Sequence, residues 1–224
     1  MFSRLELLVG DKLELLSNKK VIVFGVGGVG GYAAEMLARS GIGTITIVDY
    51  DVVDISNKNR QVIALDSTIG KPKVVVMKDR INDFNKCCSV TAINDKLTAD
   101  NIEQFNLSQY DYIIDAIDMV TSKINLITFA HNNNIPIISA MGVGNRLGIP
   151  EFEITDIYKT SGDGLAKVLR KKLRENGIDN HTVVFCKNQA TPNGDTIGSI
   201  AYYPAISGCM VAAKVIDDFL KGEK

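Results

Sequence analysis

Residues 21–31 read VIVFGVGGVGG, four apolar residues running into a glycine-rich turn, and YAAEMLARSG follows directly. A short run that is β-branched and continuously apolar is a strand buried on both faces. The Ala- and Leu-rich stretch after the glycines predicts a helix, with Gly41 as its stop. TITIVD (Thr44 to Asp49) supplies a second strand. Strand, helix and strand at this spacing form a βαβ unit, which demands a parallel sheet with a right-handed crossover. Gly25, Gly27 and Gly30 fit the pattern G-x-G-x-x-G, with Gly28 alongside. The first glycine permits the turn, the second lets a phosphate approach the backbone, and the third lets helix and sheet pack closely. Amides at the helix start then face phosphate oxygens. Asp49, closing the second strand, is placed to accept hydrogen bonds from ribose hydroxyls. The turn by itself implies an adenine nucleotide, with NAD as the default. The plain alternatives are glycines that merely permit a tight turn and an Asp49 that is only a surface or capping residue.

The alternation continues along the chain. Leu5 to Leu16 has helical apolar spacing, Lys73 to Phe84 predicts a helix, Ser89 to Asn94 a strand, and Ala99 to Phe105 a helix. Asp111 to Asp115 reads as a strand, Thr121 to Asn132 as a helix, and Ile135 to Ala140 as a strand. This is an α/β fold, a Rossmann-like, doubly wound, mostly parallel sheet as far as about Met141. Beyond it, Phe152 to Ile157 and His181 to Cys186 read as strands that extend the sheet, with an antiparallel arrangement expected. Leu165 to Glu175 predicts a basic helix, Lys187 to Gly198 a mobile loop, and Pro204 to Leu220 a closing helix. The 224 residues are expected to form one domain, with 1–141 as nucleotide-binding core and 142–224 as substrate-side and closing elements.

Lys and Arg number 25 and Asp and Glu 26, so the net charge is −1 and no overall field favours nucleic acid or an anionic membrane. Any polyanion must be held by a local patch. Cys87, Cys88, Cys186 and Cys209 form no Cys-x-x-Cys pair, which speaks against a zinc ribbon. Cys186 and Cys209 lie in apolar runs and are expected to be buried, while Cys87 and Cys88 follow a helix end and are expected at the surface. No apolar run reaches the roughly 20 residues of a membrane helix. The expectation is a soluble cytoplasmic protein with reduced thiols and no membrane partner. His131 falls near a helix C-terminus, where positive charge is favoured, and His181 starts a strand; neither has ligand-like company.

The residues after Asp49 turn the choice from NAD to ATP. YDVVDISNKNRQ, then STIGKPK and later DAID follow the second strand. A dehydrogenase needs no such cluster of cations and amides, whereas nucleotidyl transfer must neutralise a triphosphate as a carboxylate attacks the α-phosphorus. Arg60 can clamp phosphate oxygens with its planar fork, Lys73 supplies a point charge, and Asn57 and Asn59 offer amide hydrogens. Asp118, just past a strand at the sheet's carboxyl edge, can hold Mg2+ through one carboxylate. The bland alternatives are a solvated Lys73, an ion-paired Arg60 and an Asp118 that caps the helix starting near Met119.

The run GVGGVGG, VDYDVVDISNKNRQ, GKPK and DAID resembles the ubiquitin-activating-like (ThiF, HesA, MoeB) superfamily of adenylating enzymes, over nearly the whole chain. Asn57-Lys58-Asn59-Arg60-Gln61 is similar to the branch of tRNA dehydratases, whereas the molybdopterin branch typically reads Ser-Asn-Leu-Gln-Arg-Gln. Ala140-Met141-Gly142-Val143-Gly144-Asn145, Asp156-Ile157-Tyr158-Lys159-Thr160 and Ile197-Gly198-Ser199-Ile200 resemble that branch too. The chain departs from it at Ser161-Gly162-Asp163-Gly164, where relatives commonly carry Cys-Pro before Leu-Ala. The resemblance implies ATP and Mg2+ as cofactors, Gly27 and its neighbours on the phosphates, and Asp49 on the ribose. It further implies Asn57, Arg60 and Lys73 on the phosphates and Asp118 at the magnesium. Arg4 matches an arginine that relatives lend to the partner's ATP site, which implies a homodimer; simple surface charge is the alternative. The implied substrate is tRNA carrying threonylcarbamoyladenosine. Its carboxylate would be adenylated and its own carbamoyl group would close a ring, releasing AMP without an enzyme nucleophile.

Lys167, Arg170, Lys171 and Arg174 fall mostly opposite Leu165, Val168, Leu169 and Leu173, which makes this helix the best local patch for RNA phosphates, or else a solvated face. Competing functions are adenylation of a ubiquitin-like sulfur-carrier protein, an NAD-dependent oxidoreductase, and a non-enzymatic nucleotide-sensing scaffold. A sulfur-transfer partner protein is a further possible partner.

Overall fold

The computed structural model describes residues 1–191 and 196–222. The apolar runs become seven strands: β1 (Lys20–Phe24), β2 (Thr44–Val48), β3 (Ser89–Ile93), β4 (Tyr112–Asp115), β5 (Ile137–Ala140), β6 (Phe152–Asp156) and β7 (Thr182–Cys186). They form one sheet in the order β3-β2-β1-β4-β5-β7-β6. The helices are α1 (Ser3–Val9), α2 (Lys12–Ser17), α3 (Gly30–Arg39), α4 (Lys73–Phe84), α5 (Val120–Asn132), α6 (Gly164–Glu175) and α7 (Tyr202–Lys221). Apolar residues of α3, α4 and α7 fill the core on one face of the sheet, and those of α5 and α6 fill a second core on the other. The sheet is doubly wound, and β1 pairs with both β2 and β4. That is the topological switch point, where open α/β sheets bind their ligands.

The structure amends four expectations. The antiparallel arrangement holds only for β6, because β7 joins β5 in parallel. The long connection between β5 and β7, which includes α6, permits the parallel pairing. The helical run Leu5 to Leu16 breaks at Gly10, whose φ of 55 and ψ of −133 lie outside helical space, giving α1 and α2. The run Ala99 to Phe105 supports only a 3-10 turn at Ile102–Phe105. There Asn101 Oδ1 accepts from the Thr98 amide at 2.8 Å, a local bond that competes with the helical ladder. Cys88 is buried rather than superficial and Cys209 is exposed rather than buried, while Cys186 is buried and Cys87 exposed as expected. Burial pushes the Cys88 thiol up to about 11. The expected loop at Lys187 to Gly198 has no helix or strand among its described residues, and its residues 192–195 lie outside them. Among the described residues no helix is long and apolar enough to cross a membrane.

A polar chain runs through the sheet beneath the switch point. Asp115, the last residue of β4, and Lys123 on α5 are both fully buried, 2.7 Å apart. Asp115 Oδ2 also accepts from Ser139 Oγ at 2.6 Å, and Oδ1 accepts from the Ile117 amide at 3.1 Å. Lys123 Nζ donates as well to the Ala140 carbonyl at 3.1 Å. His181 Nε2 lies 2.8 Å from Ser139 Oγ, and His131 Nε2 lies 3.3 Å from His181 Nδ1. One proton arrangement satisfies every contact: His131 donates to His181, His181 to Ser139, and Ser139 to Asp115. Both imidazoles are then neutral, in line with burial, which drives His131 down and His181 down to about 3. The positive charge expected for His131 at its helix C-terminus is therefore disfavoured by its surroundings.

Removing one partner of a buried ion pair leaves the other charge uncompensated. Lys123→Met is expected to lower stability by about 3–5 kcal/mol, and the double variant Asp115→Asn/Lys123→Met is expected to regain much of the loss. Urea unfolding measures both, and a single variant as stable as the parent refutes the account.

Candidate functional site

At the carboxyl ends of β1, β2 and β4 lies a cleft of about 810 Å³. That volume suits a bound small molecule. Its near wall is the glycine turn, where Gly25, Gly27 and Gly28 line the space. Gly30 does not line it, so it is no nucleotide contact; it takes the packing role expected of the pattern's third glycine. A Cβ on Gly30 would lie 1.8 Å from the Gly25 carbonyl oxygen and 3.1 Å from the Ala116 side chain, so this glycine serves the packing of α3 against β1 and β4. Gly25 has φ +88, and a Cβ there would meet the Ala116 carbonyl oxygen at 2.5 Å. Bare backbone therefore lines the turn and faces the cleft.

Asp49 pins that turn. Its Oδ2 accepts from the Val26 amide at 2.6 Å and its Oδ1 from the Asp51 amide at 2.8 Å. A carboxylate offers about four lone-pair positions. Two stay free, and Asp49 lines the cleft where sugar hydroxyls could use them.

The segment after β2 forms the opposite wall. Asn57 is buried in a short 3-10 turn, Ile55–Asn57, and its Oδ1 accepts from the Asp54 amide at 3.1 Å. Its amide nitrogen has only a 3.5 Å contact with Ser56 Oγ, so its hydrogens remain available. Arg60 also lines the cleft, and its Nη1 donates to the Ser56 carbonyl at 2.8 Å and to Asn59 Oδ1 at 2.9 Å. Nε and Nη2 of the fork are left over. Asn59 does not line the cleft. Its amide donates to the Ser199 carbonyl at 2.9 Å while its oxygen receives Arg60, so it holds the fork and a distant segment in place instead of facing a ligand. Lys73 opens α4, is buried, and pairs with Asp51 Oδ2 at 2.7 Å.

Asp118 is exposed on the cleft floor with no ion pair or hydrogen bond among the described residues. It does not cap α5, whose N-cap is Met119 with no side-chain cap bond. Among the described residues no group of three or more His, Cys, Asp or Glu forms a metal cage. Arg4 sits on α1, outside the cleft, exposed and without a partner among the described residues. Sequence reasoning thus brings Gly25, Gly27, Gly28, Asp49, Asn57, Arg60, Lys73 and Asp118 together; Asn59 lies outside the cleft, and Gly30 packs the turn without lining it.

Several polar lining residues were not singled out. Asp51 holds Lys73. Gln61 is buried, and its Oε1 has no partner. Lys96 stands 5.3 Å from the ring centre of Tyr50. The Tyr50 phenol is held above its usual range by the Asp51 charge first, then by burial and by Asp118 and Asp49, so it stays a donor. Adjacency to Arg60 is the one sequence signal that points at Gln61. Among the lining residues Arg60, Lys73 and Lys96 face Asp49, Asp51, Asp95 and Asp118, three cations against four carboxylates. The cleft of a single chain is therefore not electropositive. The far wall is formed by Gly142, Val143 and Gly144 together with Gly164, Leu165 and Val168 of α6.

The model of the ThiF family matches residues 3–223. The chain is 42% identical over 240 residues to the tRNA threonylcarbamoyladenosine dehydratase of Bacillus subtilis (strain 168), covering 98% of this chain and 94% of that one. A crystal structure of E. coli tRNA N6-threonylcarbamoyladenosine dehydratase in complex with ATP superposes with a TM-score of 0.93 at 34% identity, over 99% of this chain and 94% of that one. The molybdopterin-synthase adenylyltransferase of Escherichia coli (strain K12) is 29% identical over 168 residues, 75% of this chain and 65% of that one.

Because Asp49 ties two backbone amides together, Asp49→Ala is expected to cost about 1–3 kcal/mol, and Asp49→Asn less, since one acceptor oxygen remains. Chemical unfolding of both variants decides it, and unchanged stability in Asp49→Ala would remove the pinning role.

Proposed function

The chain belongs to the ThiF family, and we propose that it is an ATP-dependent dehydratase that cyclises threonylcarbamoyladenosine in tRNA. The observation that carries this is end-to-end similarity: 42% identity and near-complete coverage of a dehydratase, against 29% for an adenylyltransferase that serves molybdopterin synthase. The likeness to a dehydratase with ATP bound supports ATP as the activating substrate.

A carboxylate is a poor acyl donor because oxide is a poor leaving group. Attack of the substrate carboxylate on the α-phosphorus of ATP expels pyrophosphate and leaves an acyl-adenylate. The carbamoyl group of the same substituent then attacks the activated carbonyl, a proton is lost, the ring closes and AMP departs. Both reacting groups are already tethered, and oriented intramolecular attack reaches effective molarities of about 10⁵ M or more. No enzyme thiol has to take part. None of the four cysteines lines the cleft.

We assign roles by position. Backbone amides of the glycine turn approach the phosphates and Asp49 the ribose. The free edge of the Arg60 fork, the Lys73 ammonium and the Asn57 amide meet phosphate oxygens and stabilise charge as it develops. The cleft's excess of carboxylate over cation supports two further proposals. Asp118, with hard oxygen donors and no protein partner among the described residues, fits a Mg2+ ion, which demands few protein ligands when phosphates supply the rest. Such an ion would offset charge on the phosphates. Arg4, on α1 and without a partner among the described residues, would reach a neighbouring copy's cleft in a homodimer. One domain spanning the whole chain and a cytoplasmic location complete the proposal, supported by the single sheet and by the tRNA substrate.

Incubation with ATP, Mg2+ and tRNA bearing threonylcarbamoyladenosine, followed by nucleoside mass spectrometry, is expected to show loss of one water from the modified nucleoside. An unchanged nucleoside together with adenylation of a carrier protein's C-terminus would overturn the proposal in favour of sulfur-carrier activation. Arg60→Ala and Lys73→Ala are each expected to abolish turnover while leaving the circular-dichroism spectrum and melting profile close to the parent's. Near-normal activity in either variant would contradict its assigned role.

A further inference from the structure

We infer that the solvent face of α6 is the surface on which the sugar–phosphate backbone of tRNA rests while its modified nucleotide enters the cleft, an inference that stands on the dehydratase reading. α6 carries Lys167, Arg170, Lys171, Lys172 and Arg174 against the single carboxylate Glu175, in a protein of net charge −1. A polyanion therefore finds its complement on a local element of this molecule. Ala166, Leu169 and Leu173 face the core, whereas Val168, expected beside them from its spacing, is exposed. At 3.6 residues per turn the opposite side presents Gly164, Lys167, Val168 and Lys171. The first half of that side is cleft wall, since Gly164 and Val168 line the space. From Gly164 to Lys171 the helix rises about 10 Å, so the face leads from the cleft mouth directly outward.

The five cations are not equivalent. Arg170 donates to the Thr160 carbonyl at 3.0 Å, and Arg174 lies 4.7 Å from the Tyr158 ring centre. Lys172 holds Glu175 at 2.7 Å. Lys167 has no partner among the described residues, and Lys171, with 77% side-chain exposure, reaches only 4.0 Å from the carboxylate that Lys172 already holds. The two least engaged ammonium groups thus stand one turn apart, about 6 Å along the axis. Charges on a nucleic-acid strand recur about every 3.4 Å of axis, so the pair covers about two phosphates. Lysine is a point charge on a flexible stem, suited to backbone phosphates more than to reading a base.

The helix is also held rigidly relative to the cleft. Asp163 is buried, its Oδ1 accepts from the Ala166 amide at 2.9 Å and caps α6, and its Oδ2 pairs with buried Arg146 at 3.2 Å. Arg146 donates in turn to the Cys186 carbonyl of β7 at 3.2 Å. A protein partner is the weaker fit. Protein interface cores are depleted in lysine and need apolar anchors, and Val168 is the one exposed apolar residue on this face.

The test is the full-length variant Lys167→Ala/Lys171→Ala. Its affinity for tRNA bearing threonylcarbamoyladenosine is read by fluorescence anisotropy across a KCl series, beside ATP titration and cyclisation kinetics. Each lost phosphate contact lowers the slope of log affinity against log salt by about 0.7–0.9. The expected result is a slope shallower by about 1.4–1.8, a raised KM for tRNA and an unchanged ATP affinity. Wild-type slope and affinity in the variant, with the parent enzyme still cyclising tRNA, would overturn the track on α6, leave the activity standing, and turn the basic face over to a protein partner. A parent enzyme that neither binds nor cyclises tRNA would overturn both.

Discussion

The arrangement at the switch point depends on the closeness of two backbones. α3 begins so near the ends of β1 and β4 that a single Cβ on Gly30 would lie 1.8 Å from the Gly25 carbonyl oxygen. A methyl group cannot occupy that space without driving α3 off the sheet, and with it the amides of its first turn. The β4 exit at Ala116 and Ile117 lies equally close against the glycine turn. Polar groups then lock each side. Asp49 ties Val26 to the end of β2, while Asp115, buried beside Lys123, ties Ile117 to the end of β4. The two locks differ in character. Asp49 faces the ligand space and keeps free lone pairs, whereas Asp115 is fully buried and its oxygens are taken by Ile117, Ser139 and Lys123. Asp49 keeps acceptor capacity open toward the cleft, whereas Asp115 spends its contacts inside the fold.

Charge then sets the terms of binding. With Arg60, Lys73 and Lys96 against Asp49, Asp51, Asp95 and Asp118, the cleft of one chain cannot draw in a triphosphate by net charge. Lys73 illustrates this, because its ammonium is already matched by Asp51 at 2.7 Å. What the single chain does supply is direction. Backbone amides, the open edge of the Arg60 fork and the Asn57 amide are fixed donors, and fixed donors act strongly in a water-poor site because they need no reorganisation. The missing charge is what the proposed Mg2+ and the proposed second copy would add.

The parts of the fold legible in sequence were those that bury both faces or obey a period. The runs at Val21–Phe24, Thr44–Val48 and Tyr112–Asp115 are continuous because helices cover both sides of a parallel sheet. α4 started at Lys73 as read, directly after Pro72, which is barred from a helix interior but tolerated at its start. The failures are local. Leu5 to Leu16 keeps helical spacing on both sides of Gly10, so periodicity runs across a break that only the backbone angles reveal. In the candidate site, Asn59 and Arg60 are neighbours in sequence, yet Arg60 lines the cleft while Asn59 turns to Ser199, 140 residues away. Side-chain direction on a turn follows the local dihedrals, and residue type does not encode them. Asp51, Gln61 and Lys96 escaped for the same reason, since rim residues on loops carry no period.

Low net charge and a basic helix make sense together. Non-specific attraction to nucleic acid grows with the number of phosphates that cations neutralise. A uniformly basic enzyme would hold any RNA at any surface. Here the remaining surface opposes that, because the chain as a whole carries −1 while α6 alone carries five cations and one carboxylate. A nucleic acid is then favoured mainly where the helix meets the cleft wall at Gly164 and Val168, which is where a target nucleotide has to arrive. Lys172 pairs with Glu175, and the side chains of Arg170 and Arg174 are held in place by Thr160 and Tyr158, which leaves Lys167 and Lys171 the most mobile of the five. With about two phosphate contacts from one chain, binding stays weak enough for product to leave. Discrimination then falls to the nucleotide that fits the cleft and can be activated there.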